Sequence, residues 1–151
     1  MVTRRAARET ALKVLYAVES SGEEVEPVVA EWASKDGLSQ DLRALCLRLC
    51  QQVRDYRPML DTLISRSLEH WSLDRVARVD QIILRMALAE FLFFEDIPPK
   101  VSIDEAIELA RRFSTTESPG FVNGILDAIM IKEGGAEIKA TQPYAKLTVD
   151  S

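Results

Sequence analysis

Apolar residues recur along this chain every three or four positions and almost never alternate. That spacing marks helices buried on one face. From Arg4 to Ser20, Ala7, Ala11, Val14, Leu15 and Val18 form one core-facing stripe, and Ser20, Ser21 and Gly22 end it. Val25, Val28, Val29 and Trp32 predict a short second helix, with Pro27 in its first turn, where proline is tolerated. Lys35, Asp36 and Gly37 read as a loop. Ser39 is placed to cap the next helix, with Asp41 near its positive end. A long stripe follows: Leu42, Leu45, Cys46, Leu49, Val53, Tyr56, Leu60, Leu63 and Ile64. Pro58 interrupts this stripe without shifting its phase, which predicts a kink near Arg57 rather than two helices.

The stretch from Trp71 to Arg112 is the centre of the pattern. Asp74 to Glu95 has almost no polar face, and a helix apolar nearly all round is a buried one. Ile97-Pro98-Pro99-Lys100 is a stop signal. Ser102, with Glu105 three residues on, then reads as a capping box. The helix it opens carries Ile103, Ala106, Ile107, Ala110 and Phe113 on one side. After a polar loop, Ser114 to Ser118, Ser118 and Pro119 supply cap and first turn for a last helix. That helix, Gly120 to Ile131, is expected to bury Phe121, Ile125, Leu126 and Ile129. Strict alternation occurs only in the tail, residues 134–151, which has no helical period and is expected to be mobile. The pattern predicts an all-α bundle of six to seven helices in one domain, residues 1–133.

Composition narrows the function. A chain of 151 residues buries enough surface for a core without disulfides. No window reaches a membrane span, and no apolar stretch follows the N-terminal arginines, so a cytoplasmic protein is expected. Cys46 and Cys50 share a helix face, but His70 is the only histidine, so buried, reduced thiols are expected rather than a metal site. The six glycines form no phosphate-cradling loop, and no nucleophile sits in a recognisable elbow or dyad. His70 reads as a surface or boundary residue. No catalytic residue, cofactor or metal is expected, so the chain does not read as an enzyme.

Charge changes the picture. The chain as a whole carries −5, yet four basic residues against Glu9 leave residues 1–13 at +3 and the remainder at −8. Arg5, Arg8, Leu12 and Tyr16 fall within an arc of about 80° at 3.6 residues per turn. Arginines supply phosphate contacts, and an aromatic on the same flank offers a platform for an unpaired base. The competing reading is a solvated helix end with Tyr16 half-buried.

Several separated runs carry a resemblance: RRAARETALKVLY at the start, the Leu84–Glu90 core, IPPKVSIDEAIELA, and FVNGILD from Phe121 to Asp127. Together, from about Arg4 to Ile131, they resemble the transcription antitermination protein NusB family. The resemblance implies two three-helix subbundles, about 1–70 and 71–133, meeting near Trp71. It implies no enzyme. Such proteins bind boxA, a single-stranded segment of ribosomal RNA leaders, together with NusE, the tenth small-subunit ribosomal protein, and join NusA, NusG and RNA polymerase to support rRNA transcription. Some members self-associate, so a homodimer is among the states implied. Carried over by motif, the RNA-binding residues are Arg4, Arg5, Arg8, Tyr16, Glu117 and Phe121. Phe121 has two readings, a core residue or a partly exposed aromatic. Asn123 and Gly124 are expected to serve packing, and the stretch from Trp71 to Arg112 is expected to be scaffold without RNA contacts.

The sequence departs from the family pattern at Asp104, where Asn is common, at Gly120, where a basic or polar residue is common, and at Pro58. Gly120 puts one phosphate contact in doubt. The same fold also occurs as the N-terminal domain of an RNA cytosine methyltransferase, which the missing glycine-rich loop argues against. The alternative is a stand-alone protein-interaction module without sequence-specific RNA binding.

Overall fold

The structure, a computed structural model, describes residues 3–133. The tail expected to be mobile, 134–151, lies outside the described residues. Among those described there are six α-helices, one 3-10 turn and no strand: α1 (Arg4–Ser21), α2 (Val25–Lys35), α3 (Gln40–Ser65), the 3-10 turn (Leu73–Arg75), α4 (Arg78–Phe93), α5 (Pro99–Phe113) and α6 (Ser118–Glu133). The all-α class is therefore the observed one. No helix among the described residues is long and apolar enough to cross a membrane.

The chain forms two compact units, one ending at Asp55 and the other beginning at Tyr56. The division falls inside α3, where Tyr56 leaves helical geometry at φ −113° and ψ 16°. Pro58 causes this: it has no N–H to give and its ring crowds the preceding turn.

In the first unit, α1 packs on α2. Val25, Val28, Val29 and Ala33 are the buried face of α2. Asp36, just beyond α2, holds the two helices together: one carboxylate oxygen accepts from the Thr10 hydroxyl at 2.7 Å and from the Lys13 ammonium at 3.1 Å. The Lys35 and Lys13 ammonium groups lie 4.9 and 5.7 Å from the Trp32 ring centre. Gly22, at φ 77°, takes the left-handed conformation that ends α1, its N–H reaching the Val18 carbonyl at 2.8 Å. Ser39 caps α3, its hydroxyl oxygen accepting from the Leu42 N–H at 3.3 Å. Cys46 and Cys50 are buried free thiols, and the Cys50 sulfur lies 3.8 Å from the Ala11 carbonyl oxygen. Hydrogen bonding with Cys46, and then burial, push the Cys50 thiol well above its ordinary pKa.

In the second unit, α4, α5 and α6 pack on one another. Every residue of α4 from Ile82 to Phe93 is buried, as its apolar run predicts. Its start differs from the expected Asp74. The Gln81 side-chain amide donates to the Leu73 and Val76 carbonyls at 2.9 and 2.8 Å. Those carbonyls are thereby satisfied outside a continuous helix, and α4 begins at Arg78. Two charged residues sit inside its apolar length. Buried Arg85 is held by Asp61 of α3, with Nε–Oδ1 at 2.6 Å and Nη2–Oδ2 at 3.3 Å. Buried Glu90 accepts from the Ser102 hydroxyl at 2.7 Å.

That last bond corrects the capping-box reading. The helix begins four residues earlier, with Pro98 at the cap, Pro99 at its first position and the Pro98 carbonyl accepting from the Ser102 N–H at 3.3 Å. Ser102 is thus an interior, buried residue whose hydroxyl serves Glu90. The buried side of α5 is Ile103, Ala106, Leu109 and Ala110, whereas Phe113 is exposed.

Candidate nucleic-acid interface

The start of α1 has no acidic residue in its first turn and exposes Arg4 and Arg5. Tyr16, further along the same helix, is 44% exposed. Arg8 is different, only 6% exposed. Its angular position explains this: at about 100° per residue it falls between Leu15 and Leu12, both buried. Of the three arginines expected to contact RNA, Arg4 and Arg5 are exposed, and Arg8 alone is drawn into the buried side.

The other two candidate residues belong to the second unit, at the start of α6. Asp80 organises this region. It lies in the first turn of α4, where the helix dipole favours a carboxylate, and is only 6% exposed. Its two oxygens accept from Ser114 at 2.7 Å and Ser118 at 2.9 Å. The Ser118 hydroxyl oxygen also accepts from the Thr115 N–H at 3.2 Å. These bonds pin the 114–118 loop to α4. Ser118 is therefore the first residue of α6 rather than its cap. The Glu117 carbonyl instead accepts from the Phe121 N–H at 3.1 Å.

Glu117 and Phe121 line one cavity of about 370 Å³, together with Trp71, Arg75 and Asp80. Phe121 is half-buried, edge-on to Trp71, with ring centres 6.3 Å apart at 76°. It thus combines its two readings. Val122, Leu126 and Ile129 form the fully buried side of α6. Asn123 and Gly124, expected to pack, are exposed instead, and a Cβ on Gly124 would meet nothing within 4 Å. Gly120 is open in the same way.

Sequence reasoning missed Asp80, Trp71 and Arg75. Asp80 was readable only as an isolated polar residue in an apolar run, and that signal does not name its partners. His70 lies exposed beside Glu69, 3.9 Å away. No group of three or more His, Cys, Asp or Glu residues among those described could hold a metal.

Comparison with known proteins adds identity to this geometry. The family model "NusB family" matches residues 5–130. The chain is similar to the transcription antitermination protein NusB of Chloroherpeton thalassium, 42% identical over 137 residues, which cover 85% of this chain and 61% of that protein. The chain therefore spans less than two thirds of that relative's length. Among solved structures, NusB of T. maritima is similar at a TM-score of 0.79 and 41% identity, covering 85% of this chain and 92% of that one. A chain from a complex of the antitermination factors NusB and NusE with double-stranded RNA is similar at a TM-score of 0.76 and 27% identity, covering 83% and 94%. With the model matched across nearly all of its helices, this chain belongs to the NusB family.

Proposed function

We propose that this protein is a transcription antitermination factor that binds boxA-type RNA of ribosomal RNA leaders together with NusE. The observation that carries the reading is the likeness to a chain of the NusB–NusE complex solved on RNA. The protein acts by binding and not by catalysis, works in the cytoplasm, and enters a larger assembly with NusA, NusG and RNA polymerase.

The division of labour follows from exposure. Arg4 and Arg5 contact phosphates. Tyr16 offers its ring to a base. Glu117 and Phe121 form a second contact at the start of α6. Arg8 supports the first helix from its buried side and adds positive potential. An acidic body beneath a basic helix end makes the protein's own RNA affinity weak and salt-sensitive, with NusE sharing the contacts.

The test is size-exclusion chromatography with light scattering on the protein alone, with NusE, and with NusE plus boxA-like RNA. A three-component complex that scrambled RNA does not support is the expected result. Stoichiometric binding of NusE without preference for either RNA would instead make this a protein-interaction module. The first run also reports any homodimer. Within the complex, Tyr16→Ala should weaken RNA binding by about 1–3 kcal/mol, the size of one base–aromatic stack, as read by gel-shift titration.

A further inference from the structure

We propose that Gln81 is a positioning residue for RNA binding: its amide, aimed by buried Arg85, holds the 3-10 turn Leu73–Arg75 out of α4 and beside the start of α6. The proposal rests on the RNA-binding reading above and deepens it.

The turn has little to hold it from within. It is three residues long and none of them is buried. Its Arg75 and Val76 N–H groups donate to the Ser72 and Leu73 carbonyls, both at 3.0 Å, and 3-10 geometry makes the poorer hydrogen bonds. The surrounding sequence favours a different state. In one continuous helix the Leu73 and Val76 carbonyls would accept from the N–H groups four residues on, those of Ala77 and Asp80. The apolar run from Asp74 to Glu95 fits such a helix. Gln81 takes both carbonyls instead, at 2.9 and 2.8 Å.

What aims the Gln81 amide lies behind it. Asp61 holds the Arg85 guanidinium at 2.6 and 3.3 Å, and Arg85 is only 2% exposed. Arg85 Nη2 donates to Gln81 Oε1 at 3.1 Å. A guanidinium has donors only, so it takes the amide oxygen and leaves the two amide hydrogens to face the two carbonyls. Carboxylate, guanidinium, amide and carbonyls thus form one directed chain. Other side chains of this length break it. Glutamate would keep Arg85 and oppose both carbonyls. Methionine would serve neither end. Lysine would reach the carbonyls but set a second positive charge against Arg85. The chain ends where the second RNA contact is proposed: Arg75 and Val76 line the same cavity as Glu117 and Phe121. A turn fixed in advance spares RNA binding the cost of ordering it.

The test uses the full chain with Gln81→Glu and with Gln81→Met. Both remove the amide donors. The first keeps an acceptor for Arg85 and the second adds no charge, so a defect common to both belongs to the lost donors. Without RNA, amide exchange followed by NMR should speed up about fivefold at Arg75 and Val76, the net worth of one hydrogen bond, and stay unchanged across α5. With NusE present, both variants should bind boxA-like RNA about fivefold more weakly in gel-shift titrations, with NusE binding itself unchanged. Arg75 is the cation that the turn carries, so Arg75→Ala should weaken binding by the native chain more than by either Gln81 variant. Native exchange at the turn in both variants overturns the proposal. So does faster exchange with native RNA affinity, or an equal loss from Arg75→Ala in all three backgrounds, because either leaves Gln81 a structural role only. Loss of NusE binding in both variants places Gln81 in the general scaffold and overturns it too. All of these leave the antitermination reading intact. RNA that the native chain fails to bind even with NusE present removes that reading and the positioning role with it.

Discussion

Single side chains in this protein are often matched to partners that their local sequence does not reveal. Ser102 and Glu105 have capping-box spacing, yet the Ser102 hydroxyl serves Glu90 on a neighbouring helix. Removing one hydrogen-bond donor from a buried carboxylate costs about 1–3 kcal/mol. Ser102→Ala should therefore lower stability to urea by that much, and Glu105→Ala by clearly less. Equal losses would restore the capping role. Glu26 gives a contrasting, exposed case. The Gln51 amide and then the Arg54 guanidinium hold its carboxyl down at about 2, from an ordinary 4.5. A depressed carboxyl contributes stability that is fully present above 4.5 and is lost as pH falls towards 2. The stability gap between the native chain and Glu26→Gln should therefore close across that window in unfolding measurements. It should be small throughout, since the pair is exposed and screened.

Among the elements, periodicity located every helix because burial imposes the 3.6-residue pattern wherever one face is covered. The ends were less legible. The starts of α4 and α5 are set by Gln81 reaching back to Leu73 and Val76, and by Pro99 taking a first-turn position. Neither is encoded in an apolar stripe. The kink of α3 was legible, because proline acts locally whatever surrounds it. The start of α6 depends on Asp80. Asp80→Ala removes the carboxylate to which Ser114 and Ser118 donate, and should cost about 1–3 kcal/mol in all. Amide exchange in the first turn of α6 should speed up, while that in α1 stays unchanged. Uniform acceleration across the chain would place the role of Asp80 elsewhere.

For the molecule as a whole, the candidate site was half legible. A net charge of −5 hides a basic helix end, and counting charges along the sequence found it. What counting misses is depth. Arg8 has the right charge and sits near the right place, but it lies only 6% exposed. Three phosphate contacts would give log affinity against log salt a slope of roughly −2, at about 0.7 per phosphate for single strands. With Arg4 and Arg5 alone the expectation is about −1.4. Titrations of the free protein with boxA-like RNA at several salt concentrations decide between them. The cavity at Trp71 was invisible for a related reason: its residues come from Trp71–Asp80 and from 115–121, brought together only by folding.

The two thiols packed inside the first unit have a practical consequence. Cys46 and Cys50 are the only cysteines of the chain, and both are buried, with Cys50 further kept from forming thiolate. A cysteine introduced at an exposed position would then be the one fast-reacting thiol in the native protein. Dyes could be attached for single-molecule distance measurements on antitermination complexes without first removing the natural cysteines.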